Sequence, residues 1–353
     1  MKKHLIAIAL AGAFAGTASA QNVTLTGTLD HGIASSDLGT TTTTTTRGNT
    51  VGTSALKINV TEDLGGGLKF IGLLSQEILL ETGAHCDTAT NSTTAAYSNP
   101  VGSNLALNSF QESSIALSHA DFGLVKFGHL TFASRDASGV GRFMGNLGRL
   151  SGALRTNGDK VDNGVEYTTP KLANAVTVSV GIANQGSASA ASATPHDSGF
   201  LVRFDQGAFS AALGQSRRDH GLTTGDNVET VFGAQFDAGI AKFGLVRGTD
   251  NGQSAAAAGT SLTRLTGTTG QVVVPLGQGL NLFGGMSKYK NTDSTVDASG
   301  YTVALSKDLS KRTTVRVYVD SLDNKGTVLV STSTTGVAGK KTSNTGVNVT
   351  HNF

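Results

Sequence analysis

The chain has 353 residues with 27 Lys+Arg against 25 Asp+Glu, a formal net charge of +2, and it contains 46 Gly, 4 Pro, no Trp and 38% hydrophobic residues. The two excess charges are Lys2 and Lys3, so residues 21–353 are neutral with His uncharged, and the sequence pI of 8.6 carries no nucleic-acid signature. A single cysteine, Cys86, excludes an intramolecular disulfide and a cysteine zinc site and reads as an incidental loop thiol.

Residues 1–20 join a basic start to an apolar stretch over 5–15 and the tripeptide Ala18-Ser19-Ala20, the layout of a secretory signal cut before Gln21. Beyond it no apolar run approaches the roughly 20 residues that a membrane helix needs, so entry into a membrane would be by strands. The first strand patterns fall at 23–35, 54–61 and 68–78, the last two joined by Glu62-Asp63-Leu64-Gly65-Gly66-Gly67. Hairpins follow at 111–118 with 123–130, 161–168 with 176–183, 199–204 with 209–215, and 228–236 with 241–247. Two more, 262–273 with 280–289 and 300–306 with 313–322, precede a closing strand over 346–353, giving sixteen.

Longer connections over 36–53, 81–108, 131–160, 248–261 and 323–343 fall between the short turns and never beside one another. Short turns on one rim and long loops on the other are the layout of an outer-membrane barrel. The Thr-rich stretch 40–46 and the Ala/Ser-rich stretch 186–195 have nothing to bury and read as exposed loop.

Alternation assigns faces. Leu56, Ile58 and Val60 would meet lipid while Ala55, Lys57 and Asn59 face the lumen, and Val315, Val317 and Val319 would oppose Thr314, Arg316, Tyr318 and Asp320. A charge on the lipid face near the midplane costs about 2 to 4 kcal/mol, which sends Lys57 and Arg316 inward. Barrels of about eight strands are filled by side chains, whereas 16 to 18 strands leave an aqueous channel. The segment 131–160 is the candidate for narrowing it. It carries Arg135, Arg142, Arg149, Arg155 and Lys160 against Asp136 and Asp159, an excess of positive charge that would favour anions if folded into the lumen. The same residues also fit a surface loop with solvated arginines.

Several segments together resemble the general porins of Gram-negative bacteria, betaproteobacterial type: residues 21–30 (QNVTLTGTLD), 61–69 (TEDLGGGLK), 122–128 (FGLVKFG), 162–170 (DNGVEYTTP), 309–313 (LSKRT) and the ending His351-Asn352-Phe353. The resemblance runs in order along residues 21–353. It implies an all-β fold, a 16-stranded antiparallel transmembrane β-barrel with its third loop folded inward, assembled as a homotrimer in outer-membrane lipid and passing small hydrophilic solutes and ions. It also implies an assembly role for Phe353 at the periplasmic rim.

The chain departs from that family at Ala55 and Asn59, where basic residues are usual, and at Gly128-His129, where a Gly-Arg pair is usual. Lys57, Lys126 and Lys160 remain as wall charges, so the anion preference is expected to be weak. His129, with an ordinary pKa of about 6.5, would make conductance pH-sensitive if it faced the pore, and is otherwise a rim or structural histidine. With no Trp and only Tyr97, Tyr167, Tyr289, Tyr301 and Tyr318, the aromatic girdle must rest on phenylalanine.

No cofactor, metal or catalytic motif survives inspection. Gly65-Gly66-Gly67 lacks the following Lys-Ser/Thr of a phosphate loop, and 139–145 misses the dinucleotide spacing by one residue. Two readings stand: a passive diffusion channel, and a secreted Thr/Gly/Ala-rich β-protein of adhesin type without a pore. The second predicts a fixed internal period, which the chain lacks.

Overall fold

The computed structural model describes residues 22–78, 80, 110–145, 160–184, 196–218, 227–251, 264–292, 297–326 and 339–353. The signal segment, Cys86, Tyr97, Arg149, Arg155, Asp159 and the stretch 186–195 lie outside the described residues.

Alternating apolar and polar residues between glycine- and aspartate-marked turns produce strands almost throughout. In order they are β1 (Asn22–Asp37), β2 (Thr42–Gly48), β3 (Ala55–Gly65), β4 (Leu68–Glu77), β5 (Phe110–His119) and β6 (Gly123–Thr131). One short helix follows, α1 (Ala133–Gly139). Then come β7 (Lys160–Thr168), β8 (Val176–Asn184), β9 (His196–Gln206), β10 (Phe209–Arg218), β11 (Asn227–Asp237) and β12 (Lys242–Asp250). The last five are β13 (Leu265–Gly277), β14 (Leu280–Asn291), β15 (Asp297–Asp308), β16 (Thr313–Asn324) and β17 (Lys341–Asn352).

Each strand from β3 onward pairs antiparallel with the next, and β17 returns to β1, with Thr28 opposite Asn352 and Asp37 opposite Ser343. The sheet is therefore a closed barrel without an edge. On its other side β1 pairs with β3 over Asn22 to Thr28 and with β2 over His31 to Asp37. Thus β2 and β3 share one place in the wall, and the seventeen strands fill sixteen positions.

The expectation of open loop across 40–46 is corrected here, since Thr42–Gly48 is a strand. Five successive threonines cannot alternate, but their β-branched side chains favour the pleated backbone, and β1 supplies the pairing edge. They remain exposed.

The strand boundaries place the short turns β3–β4, β5–β6, β9–β10, β11–β12, β13–β14 and β15–β16 on the rim that carries Asn22 and Phe353, while the 38–41 turn between β1 and β2 lies on the opposite rim. The tightest of these, between β3 and β4, has Gly65, Gly66 and Gly67 at φ of 83, 60 and 85°, a left-handed run that side chains with a Cβ resist. The two faces separate cleanly. Along β16, Val317 is 51% exposed and Val319 38%, while Tyr318 and Asp320 between and beyond them are 2% and 3%. Phe209, Phe236 and Phe243 stand side by side on β10, β11 and β12 near the short-turn rim, forming an outward phenylalanine girdle. Tyr289 and Tyr318 are buried inside, so Tyr167 and Tyr301 are the exposed tyrosines among the described residues.

Candidate functional site

After β6 the chain turns into the lumen. Phe132 O accepts the N–H groups of Arg135 and Asp136, which starts α1, and Ala133, Ser134, Ala137 and Ser138 are buried against the inner faces of β9, β10 and β11. At three positions beneath the loop the wall carries glycine. A Cβ on Gly214 would stand 2.2 Å from Ala133 O, on Gly233 2.2 Å from Ala137 O, and on Gly244 2.1 Å from Gly141 O. These distances lie far inside van der Waals contact, so the loop backbone occupies the volume that side chains would need.

Polar contacts then fix the loop. Ser134 N–H donates to Ser216 Oγ (3.0 Å), the Ser216 hydroxyl donates to Ser134 Oγ (2.8 Å), and the Ser134 hydroxyl donates to Glu229 Oε2 (2.9 Å), all buried. Further on, Phe143 N–H donates to Gln271 Oε1 at 2.6 Å. Met144 is buried among Ala34, Ala304 and Tyr318 with Val51 and Phe283 packed against them, so the loop crosses from β6 to the opposite wall. An inward loop spanning a barrel of this size narrows an otherwise open hole.

The charged residues sort into several groups. Lys57 faces the lumen on β3, opposite Thr26 and Ser75 on its neighbours, and is exposed. Lys126 lies between Glu112 (3.4 Å) and Glu166 (3.6 Å), with all three side chains at most 20% exposed. Glu112 Oε2 accepts from the Thr131 hydroxyl (3.1 Å), whose oxygen accepts from Lys160 Nζ (2.9 Å). Arg135 and Asp136 are on α1 beside this cluster. Burial pushes the Asp136 carboxyl above the ordinary carboxylate range, and Lys126 and Lys160 pull in the other direction.

Arg142 is half-buried in the loop. Arg316 faces inward on β16 and donates to Thr350 Oγ1 at 3.1 Å. His129 shares the outward parity of the exposed Phe127, and its Nδ1 lies 2.6 Å from Asp162 Oδ1. It therefore stands apart from the lumen cluster. Phe353 donates its N–H to Gly27 O (3.0 Å) and accepts from Gly27 N (2.8 Å), with its ring over that glycine.

Comparison with known proteins gives the same architecture. The chain matches the Gram-negative porin family over residues 7–327. It belongs to that family. It is 29% identical over 275 residues to "Outer membrane porin protein 32" of Delftia acidovorans, covering 70% of each chain. Among solved structures it is similar to the "Anion-selective porin from Comamonas acidovorans", with a TM-score of 0.75 at 22% identity over 95% of this chain and 100% of that one. It is also similar to the trimer form of OmpT from Vibrio cholerae, with a TM-score of 0.65 at 14% identity over 95% and 100% of the two chains. The protein is thus an outer-membrane porin, a β-barrel diffusion channel, and the adhesin-type alternative is not favoured.

Within this porin, several lumen residues escape sequence reasoning. Glu112 and Glu166 sit 14 and 40 positions from Lys126 and meet it only through strand register. Their inward parity, opposite Ile115 and Val165, is the signal that could have found them. Gly214, Gly233 and Gly244 hold inward positions, where a glycine in a strand marks close approach of another backbone. Among the described residues no group of three His, Cys, Asp or Glu is placed to hold a metal ion.

Proposed function

We propose that this porin is a homotrimer, exported after removal of residues 1–20, whose channels pass small hydrophilic solutes and ions passively, without catalysis, and with a weak preference for anions. The observation that carries the preference is an asymmetry in pairing. Lumen acids are tied down: Glu112 and Glu166 flank Lys126, Asp205 is held by Arg203 at 2.6 Å, and Asp197 lies 3.3 Å from Arg218. Lys57 faces the water path, and among the described residues it has no ion pair.

Lys160, joined to Glu112 through the Thr131 hydroxyl, balances the second carboxylate around Lys126, so these groups contribute little net field and the exposed Lys57 biases the path toward anions. Screening over about 8 Å at physiological salt keeps that bias small. The trimeric form of a structural relative and the anion selectivity named for another support the reading. Reversal potentials in planar bilayers under a KCl gradient test it. Chloride preference is expected in the wild type and a shift toward cations in Lys57→Glu; a cation-preferring wild type, or an unmoved Lys57→Glu, would overturn it.

A further inference from the structure

The seam between β1 and β17 contains a buried carboxylate, Asp30, linked to the inward Arg316 through the Thr350 hydroxyl. Asp30 is fully buried on the lumen face of β1 and accepts five hydrogen bonds. Three come from consecutive backbone N–H groups, Thr50 at 2.6 Å and Val51 and Gly52 at 3.3 Å. Two come from β17, Asn348 Nδ2 at 2.9 Å and the Thr350 hydroxyl at 2.7 Å. Successive N–H groups converging on one anion form a concavity suited to negative charge.

Around that contact the turn between β2 and β3 is closed on itself. Ser54 Oγ accepts the Asp30 N–H (2.9 Å) and donates to Asp30 O (3.1 Å), and Asn49 N–H donates to Asp30 O (3.1 Å). Asn49 sits at φ 52°, accepts Ser54 N–H on its Oδ1 (2.6 Å) and donates from Nδ2 to Glu77 (2.6 Å). The turn is drawn into the lumen, where it meets Met144 and Gly145 of the inward loop. A Cβ on Gly145 would stand 1.8 Å from Val51 O, and Val51 packs on the cluster that holds Met144.

We propose that Asp30 is a positioning residue of the constriction: its carboxylate fixes the 49–54 turn as an abutment, and the Met144–Gly145 stretch of the inward loop rests against it. The aperture is then bounded by two inward elements. One is seated on the glycines of β10–β12 and latched at Glu229; the other is held by Asp30. A carboxylate suits the second task because it accepts on two oxygens and donates nothing, whereas an amide in its place offers one acceptor and turns two hydrogens toward the same N–H groups.

Two variants separate positioning from charge. Asp30→Asn removes both the acceptor set and a charge; Asn49→Gly keeps the charge and the left-handed backbone but removes the side-chain bonds that close the turn. The readouts are open-channel current noise and the size cut-off for polyethylene glycols in planar bilayers, with heat modifiability on gels as the check on assembly. Both variants are expected to form wild-type assemblies with noisier channels that admit larger polymers. Wild-type noise and cut-off in both would overturn the proposal. So would an Asp30→Asn channel whose reversal potential alone moves while Asn49→Gly is silent, since Asp30 would then act only as a charge. Should Asp30→Asn fail to assemble, Asn49→Gly decides by the same readouts, which also leave the anion preference a separate question.

Discussion

The wall formed by β15–β17 and the wall formed by β10–β12 share one architecture but differ on their inner faces. In the first, Thr302, Asp320 and Asn344 form a cross-strand row of full-sized polar side chains, with Asn344 Nδ2 donating to Asp320 at 3.1 Å. In the second, the corresponding row is Ala212, Gly233 and Val246, lying beneath the buried face of α1. Where side chains line the lumen, apolar-polar alternation is enough to specify the wall. Where another backbone lies on it, the inner side chains must shrink, and hydrophobic burial moves to the inside of the barrel.

The largest way to break this comparison is on the shared outer face. Val317→Arg places a charge in the lipid-facing valine row of β16 and is expected to destabilise the barrel by about 2 to 4 kcal/mol near the midplane, read as a lower denaturant midpoint for refolding into vesicles. The same arginine at the neighbouring lumen position already exists as Arg316, so a face-blind penalty, equal at both positions, would contradict the assignment.

A smaller effect sharpens the loop side. Burial raises the Asp136 carboxyl above its unfolded value, so it contributes stability below the ordinary aspartate range, lost as pH rises through the elevated folded value. On acidification Asp136 gives up its negative charge at a higher pH than a solvated aspartate, and the anion preference should grow there. Asp136→Asn should abolish that step in reversal potential measured against pH. An unchanged step in the variant would show that another group titrates.

Much of the barrel was legible because segments such as 54–60, 313–320 and 346–353 keep apolar-polar alternation between clear turns. Lys57 and Arg316 followed from the same rule, as did the pairing of the closing strand with β1. The turn at Gly65–Gly67 was legible too, since left-handed backbone selects glycine. β2 was not, because a run of threonines has no period and its strand is imposed by β1. The sequence offers His129 as a pore residue, yet it shares parity with Phe127 beside the irregular pairing at Gly128 and Leu130. The neutralisation of Lys126, the glycine seat and the Asp30 seam depend on register between distant segments, which a single strand's pattern does not contain.

The most direct measurement is the single-channel conductance of Gly233→Val beside Gly270→Val. A side chain at 233 would meet Ala137 O and Val140 O at 2.2 and 2.4 Å from its Cβ, whereas nothing lies within 4 Å of a Cβ at 270. Overpacking of this kind costs about 1 to 3 kcal/mol, enough to unseat the loop. The account predicts raised or multiple conductance levels for Gly233→Val and wild-type conductance for Gly270→Val. Identical wild-type conductance in both would contradict it, because the loop seated on these glycines would then not be what narrows the pore.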